Sequence, residues 1–435
     1  MKHTKKIAII GAGVAGTTTA LGLKKLGFNV TVFYKKRPFI AYEGISEKTK
    51  DGLTMLGCKN TSELLEVKSL RDSNWANQRS NANYEYVVNR DQFDKALLED
   101  LKNSEIKIIE AKVLSVDYTK KPIIEYKEDN KTKELEADFI VDTRGRFTPY
   151  KKEYTTGPKS FSLLQELEFE NTDGLKTSID SIKDGWIWQA YIGENKGYLQ
   201  FSCDEKIANK INSFEDILPY LKDQNIELWS LKNYIIKNKL VKRDAFCKIH
   251  QTIIDDKMIL IGDAASSIDP LSGNGVFQAL SMSSIAPYVI NTILNKKDDK
   301  EIAKEFYKQR VNYIFEKFSN VGKEFYNLEK RFDSEFWRDR QNWPKDKNIE
   351  QKPYISDGAI VKDGFIHKKE VLITKDNPLG VFFFKNIEVI ELAKYCLENS
   401  YEDSIIYLDS FVEKNDIDVE LSMGLKQWLK SQKIL

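Results

Sequence analysis

The period of the apolar positions changes along the chain, and each change marks an element. Ile7–Ile10 is a continuous apolar run that ends in Gly11, Gly13 and Gly16 and passes into TTTALGLKKLG. That order predicts a buried strand, a tight turn and a helix. Asn29–Tyr34 (NVTVFY) predicts a second, parallel strand that completes a β-α-β unit. Residues 84–101 read as a short strand and then an amphipathic helix, with Phe93, Leu97, Leu98 and Leu101 at helical spacing. Strand-like segments follow near 106–117 and 122–127, and FIVDTRGR at 139–146 reads as a strand running into Asp142, Gly145 and Arg146. Segments 160–170 and 186–203 alternate strongly, which predicts antiparallel strands of a separate sheet, suited to roofing a substrate cavity. Residues 258–295 return to a βα pattern. From about 300 to 340, Ile302, Phe306, Ile314, Phe318, Val321, Phe325, Leu328, Phe332 and Phe336 recur mostly three or four apart. They predict a long helix, or two in line, packed on the body by one stripe. The stripe is aromatic and lacks sustained heptads, which disfavours a coiled coil. The tail from 350 to 435 combines a polar linker, a strand-like VLIT, an apolar segment and a terminal helix, as in a small cap.

Composition narrows the class. A chain of 435 residues is too long for one ordinary core, so two or three domains are expected, interleaved in sequence. The 67 Lys and Arg nearly cancel the 66 Asp and Glu, which disfavours nucleic acid or an anionic membrane as the main partner. Cys58, Cys203, Cys247 and Cys396 have neither metal nor redox spacing and read as buried reduced thiols, hence a cytoplasmic setting. Lys2, Lys5 and Lys6 before an apolar run imitate a signal peptide, but the run carries the glycines and continues into a helix and second strand. No apolar stretch is long enough to span a bilayer. His250 and His367 are the only histidines beyond the N-terminus, and neither lies in a metal-ligand motif.

The glycine turn carries the first chemistry. Gly11 permits the tight turn, Gly13 lets backbone approach a pyrophosphate, and Gly16 lets helix and strand pack closely, with the helix N-terminus facing the phosphates. The second strand of such a unit usually ends on an acid that holds the ribose hydroxyls. Here Tyr34 stands in that place, followed by Lys35, Lys36 and Arg37, which either stack on adenine, approach phosphate or form a solvated charge run. A second signal is Ile261-Gly262-Asp263-Ala264-Ala265 followed by Asp269-Pro270-Leu271-Ser272-Gly273-Asn274-Gly275. An acid at a strand end binds a ribitol or ribose hydroxyl, and the proline-glycine turn brings backbone N–H groups and a helix N-terminus to an isoalloxazine edge. The pair of signals points to FAD.

Taken together, the N-terminal fingerprint, VVNRDQFD, VDTRGR and GDAASSIDPLSGNG resemble, in this order, the FAD-dependent monooxygenase and tryptophan-halogenase superfamily. Residues 325–341 (FYNLEKRFDSEFWRDRQ), 43–57 (EGISEKTKDGLTMLG) and Ser73-Asn74-Trp75 are similar to the flavoprotein monooxygenases of tryptophylquinone cofactor biogenesis, which work on a tryptophan inside another protein. The resemblance implies an α/β fold in which a Rossmann-like FAD-binding domain is interleaved with an antiparallel-sheet substrate domain, plus a mostly helical C-terminal region. The implied division is FAD-binding parts at 1–58, 84–155 and 246–298, a substrate-side insertion at 59–83, a β-sheet substrate domain at 156–245 and a C-terminal cap at 299–435. The implied cofactor set is Gly11, Gly13, Ala15, Gly16, Glu43, Arg90, Gly262, Asp263, Pro270, Gly273, Asn274 and Gly275. Within it Arg90 is the arginine placed against FAD, Asp263 the ribitol-binding acid, and Glu43 a residue near the flavin.

Two comparisons bear on the reaction. Halogenases carry W-x-W-x-I-P, whereas this chain has Trp186-Ile187-Trp188-Gln189-Ala190-Tyr191, so the tryptophans match and the Ile-Pro does not. Two tryptophans at alternate strand positions are also what one face of a sheet requires. The turn Pro270-x-x-Gly273-x-Gly275 has the monooxygenase form rather than the halogenase P-L-x-S-[S/T]-G, which argues for oxygen transfer. A halogenase also needs a lysine to capture hypohalous acid, and Lys68 lies upstream of Trp75 at a reminiscent spacing. The candidate catalytic set is Lys68, Trp75, Trp186 and Trp188, and the sequence singles out no general base.

The reading is an FAD-dependent monooxygenase that hydroxylates an electron-rich aromatic, an indole or phenol, including a tryptophan side chain in a peptide or protein, through a flavin C4a-hydroperoxide. Its alternatives are a flavin-dependent halogenase, a flavin-dependent reductase or dehydrogenase of an apolar chain, and a non-catalytic flavoprotein escort. No second dinucleotide fingerprint is visible, so either NAD(P)H binds transiently or a separate reductase supplies electrons.

Overall fold

The computed structural model describes residues 4–149, 154–169, 174–222, 234–346 and 352–435, in two compact units. The first comprises residues 1–287 and 314–345, the second 288–313 and 346–435. The fold is mixed α/β.

The first unit contains a five-stranded parallel sheet in the order Met258–Leu260, Phe139–Asp142, Lys6–Ile10, Asn29–Tyr34, Lys107–Glu110. All residues of Phe139–Asp142 and Met258–Leu260 are buried, as expected for strands covered on both faces. From Lys6–Ile10 the chain fills the sheet to one side with Asn29–Tyr34 and to the other with Phe139–Asp142. This switch point opens a crevice at the C-terminal edge, where the glycine turn sits. Helix Val14–Lys25 follows the turn, and helix Arg90–Asn103 buries Phe93, Leu97 and Leu101, while Leu98 is only partly covered. The segments expected near 106–117 and 122–127 form Lys107–Glu110 of the parallel sheet and a three-stranded antiparallel ribbon, Lys112–Asp117, Ile123–Glu128 and Lys131–Glu136.

The second sheet has eight strands in the order Tyr234–Asp244, Ser160–Phe169, Lys196–Asp204, Gly185–Ile192, Leu175–Ile182, Lys68–Trp75, Gln78–Asn89, Tyr42–Ile45. It is wider than the alternating segments alone suggested. Strands from residues 42–89 complete it through a parallel pairing of Leu175–Ile182 with Lys68–Trp75, and such a long-range pairing leaves no local mark in the sequence. Period-2 alternation gives the sheet two apolar faces. Trp186, Trp188 and Ala190 lie in one cluster with Tyr42, Tyr198, Tyr326 and Trp337. Ile187 lies in another with Leu163, Leu199, Phe201, Phe214 and Ile217.

The helical stripe agrees with the sequence expectation at Phe306, Phe318 and Phe336, which are buried, and departs from it toward the end of the long helix. Lys300–Leu328 and Glu335–Gln341 are helices in succession, but Phe325 and Leu328 are exposed, and the buried positions include Tyr307, Val311, Phe315, Phe318 and Tyr326. Both rows repeat every three to four residues, so spacing alone does not choose between them. In the second unit a hairpin, Tyr354–Lys362 and Phe365–Ile373, accompanies three helices, Ile390–Glu398, Tyr401–Lys414 and Val419–Ser431, around Leu372, Leu392, Leu408, Leu425 and Leu429. All four cysteines are buried and free. Among the described residues no helix is long and apolar enough to cross a membrane.

Candidate functional site

At the end of the first strand Gly11 adopts φ +114°, and its N–H donates to Phe33 O at 2.8 Å. A Cβ on Gly11 would meet Thr143 O at 2.7 Å, and one on Gly16 would lie 1.9 Å from Gly11 O. Both glycines are therefore required by the turn itself. Gly13 differs, because its Cβ would enter open space. It caps helix Val14–Lys25 with no side-chain hydrogen bond, and the first turn carries no acid. The first N–H groups of that helix therefore have neither a side-chain cap nor an acid of their own turn, and suit an anion.

The later motif packs against this turn. Gly262 has φ +66°, and a Cβ there would lie 3.1 Å from the Cβ of Ala15. Asp263 is about two-fifths exposed, and its Oδ2 lies 3.5 Å from Arg146 Nε. Pro270 starts a short 3-10 turn, Pro270–Ser272, capped by Asp269, whose Oδ1 accepts from Leu271 N at 2.9 Å. Gly273 closes that turn at φ +63°, Asn274 O accepts from Gln278 N, and helix Gly275–Asn295 begins. Nothing stands where a Cβ of Gly273 or Gly275 would be.

Glu43 and Arg90 meet directly. Arg90 Nη1 donates to Glu43 Oε2 at 2.8 Å and Nη2 to Asp94 Oδ1 at 2.7 Å, while the buried Nε has no partner among the described residues. Burial would raise the Glu43 carboxyl pKa, but Arg90, Arg243 and Arg37 outweigh it and hold the pKa below its ordinary value. An ionised acid at a cluster of cations, an orphan guanidinium N–H and an uncapped glycine turn together fit a dinucleotide with a phosphate-bearing ligand half. The residues present thus fit FAD.

Trp75, Trp186 and Trp188 come together in the aromatic cluster on one face of the eight-stranded sheet. Trp188 Nε1 donates to Glu85 Oε1 at 3.2 Å, and Glu85 Oε2 lies 3.6 Å from Arg71 Nη1. A Cβ on Gly44 would fall 2.0 Å from Glu85 Oε2, so glycine at 44 makes room for this carboxylate beside Glu43. On the other flank Trp186 Nε1 donates to Tyr326 OH at 3.2 Å, and Tyr326 OH donates to Asp269 Oδ2 at 3.0 Å. This buried chain joins the aromatic wall to the loop before Gly273. Burial raises the pKa of both Tyr326 and Asp269.

Lys68 does not join this cluster. Its Nζ pairs with Glu47 and lies 5.6 Å from the Tyr86 ring centroid. The reason is parity: Lys68 and Trp75 are an odd number of residues apart on one strand, so they point to opposite faces. A polar cleft of about 360 Å³ lies along the same strand, lined in part by Asp72, Ser73, Asn74, Arg79 and Asp180. The sequence assigns no role to Glu85, Arg71 or Tyr326, and it marks Asp269 only as the first residue of the Asp269–Gly275 motif. In YEYVVN, the alternation that turns Val87 inward also turns Glu85 inward, and a charge on an apolar face was the readable sign.

The tryptophan halogenase family model matches residues 46–382. The chain is 22% identical over 382 residues to tryptophan 2-halogenase of Chondromyces crocatus, covering 78% of this chain and 71% of that protein. Among solved structures it is similar to the peptidyl tryptophan dihydroxylase QhpG, essential for tryptophylquinone cofactor biogenesis, with TM-score 0.81 and 28% identity over 99% of both chains. It shares the fold of the flavin-dependent halogenase CmlS, with TM-score 0.78 and 18% identity over 100% of this chain and 96% of that one.

Proposed function

The chain belongs to the tryptophan halogenase family and is a flavin-dependent oxidoreductase, and from that premise we propose that it hydroxylates an electron-rich aromatic ring, specifically a tryptophan side chain carried by a peptide or protein. The observation that carries hydroxylation over halogenation is the orientation of Lys68, whose amine is engaged by Glu47 on the face away from Trp186 and Trp188. The end-to-end likeness to a peptidyl tryptophan dihydroxylase supports the substrate class. The monooxygenase form of the Pro270–Gly275 turn agrees with both.

In this reading the turn from Gly11 to Gly16 and the start of helix Val14–Lys25 hold the pyrophosphate of FAD, with Ala15 packed on Gly262. Asp263 holds a ribitol hydroxyl, and Pro270, Gly273, Asn274 and Gly275 present backbone to the isoalloxazine edge. Arg90 and Glu43 form the charged pair beside it. The flavin, once reduced, supplies the activation of dioxygen to an electrophilic oxygen donor. Trp75, Trp186 and Trp188, gathered in one aromatic cluster, are assigned to meeting the ring, orienting it and excluding water. We assign to Glu85 the proton that the ring carbon releases as aromaticity returns, because its carboxylate already reaches the aromatic face through Trp188. Electrons come from NAD(P)H, directly or through a separate reductase.

The test supplies FAD-loaded protein with a flavin reductase, NADH and labelled dioxygen, and offers tryptophan-containing peptides with and without halide. Mass spectrometry is expected to find labelled oxygen on the indole, independent of halide. Halogen incorporation, or turnover without dioxygen, would overturn the proposal.

A further inference from the structure

The second strand of the nucleotide unit ends on a tyrosine where a ribose-binding acid is expected, and the fold brings a carboxylate to it from the next strand. Lys107–Glu110 runs parallel to Asn29–Tyr34 with Glu110 opposite Tyr34, and Tyr34 OH donates to Glu110 Oε2 at 2.8 Å. The row continues to the glycine turn. Ile10 is opposite Phe33, so Gly11 is level with Tyr34. Neighbouring strands lie about 4.8 Å apart, which puts Glu110 about 10 Å from Gly11 along the C-terminal edge. That is the edge at which α/β sheets take nucleotides.

Two of the three cations that follow Tyr34 are engaged elsewhere. Lys36 lies 3.5 Å from Asp91, and Arg37 lies 3.2 Å from Asp94, both on helix Arg90–Asn103. No ion pair among the described residues engages Glu110. A carboxylate steadied through one oxygen by a neutral hydroxyl keeps its other oxygen ready for a hydroxyl donor. An exposed pair of this kind adds little to folding stability, so its loss is not expected to unfold the apoprotein.

We propose that Glu110, steadied by Tyr34, makes the adenosine-ribose contact of FAD, in place of an acid at the end of the second strand. This rests on the FAD reading of the site given above. The ribose-binding carboxylate has moved one strand across the sheet, and the tyrosine bridges the gap.

Titration of the apoprotein with FAD, followed by flavin fluorescence, tests it. Glu110→Ala is expected to weaken FAD binding roughly tenfold or more, the size of a hydrogen bond to a charged group, while leaving the thermal unfolding of the apoprotein unchanged. Adding Tyr34→Glu to Glu110→Ala, which returns an acid to the second strand, is expected to recover most of the affinity. Wild-type affinity in Glu110→Ala, or a loss that Tyr34→Glu fails to recover, would overturn the inference alone. A wild-type chain that does not bind FAD would overturn the cofactor reading beneath it.

Discussion

Replacing Tyr326 with phenylalanine removes one hydroxyl and keeps the ring, which isolates the chain from Trp186 to Asp269. Trp186, Tyr326 and Asp269 are 3%, 2% and 8% exposed, so water does not readily replace the lost oxygen. Two buried groups lose a partner, the Trp186 indole N–H and Asp269 Oδ2. Each unsatisfied buried group costs about 1–3 kcal/mol, so Tyr326→Phe is expected to destabilise the first unit by about 2–6 kcal/mol. Urea unfolding followed by tryptophan fluorescence, dominated by Trp75, Trp186, Trp188, Trp337 and Trp343, reads this unit. The effect also depends on pH. Burial holds the Asp269 pKa above its ordinary value and the Tyr326 hydrogen bond opposes the rise, so phenylalanine raises it further. An acid whose folded pKa is raised loses stability as pH climbs from its unfolded value through its folded one. Tyr326→Phe should therefore cost more at pH 8 than at pH 5. A loss under about 0.5 kcal/mol, or strict additivity with Trp186→Phe in a double-mutant cycle, would refute the linkage.

Gly16→Ala, whose methyl would stand 1.9 Å from the Gly11 carbonyl, is expected to abolish FAD binding and cost about 2 kcal/mol or more of stability; Gly13→Ala, opening into free space, should leave stability alone and weaken FAD, as titration of both variants will show. Lys68→Ala is expected to keep peptide oxygenation within about twofold of wild type, since that lysine faces away from the aromatic cluster, and a hundredfold loss in steady-state turnover would restore the halogenase reading. His250 is buried and its pKa is lowered to about 4, mainly by desolvation with Lys248 adding to it. The unfolded chain then binds more protons, so wild-type stability should fall as pH drops from about 6.5 toward 4, and a His250→Gln variant measured by urea unfolding should lack that part of the fall.

Some of this was local and therefore legible. The turn at Gly11, Gly13 and Gly16 and the segment Asp263–Gly275 announce themselves because a tight turn, a close backbone approach and a helix start each demand particular residues at fixed spacing. The apolar runs at Ile7–Ile10 and Phe139–Val141 announce buried parallel strands for the same reason, that every position must be covered. Parity was legible too: an odd offset between Lys68 and Trp75 excludes a shared face once the strand is accepted. Other decisions needed the tertiary structure. Which of two equally spaced helical rows is buried, Tyr326 or Phe325, depends on what the helix packs against. The parallel pairing that seats Lys68–Trp75 beside Leu175–Ile182 joins residues a hundred positions apart, and only that pairing brings Glu85 to Trp188. Glu110 beside Tyr34 is the same case, since a strand's neighbour is set by the topology of the sheet and not by either strand's own residues.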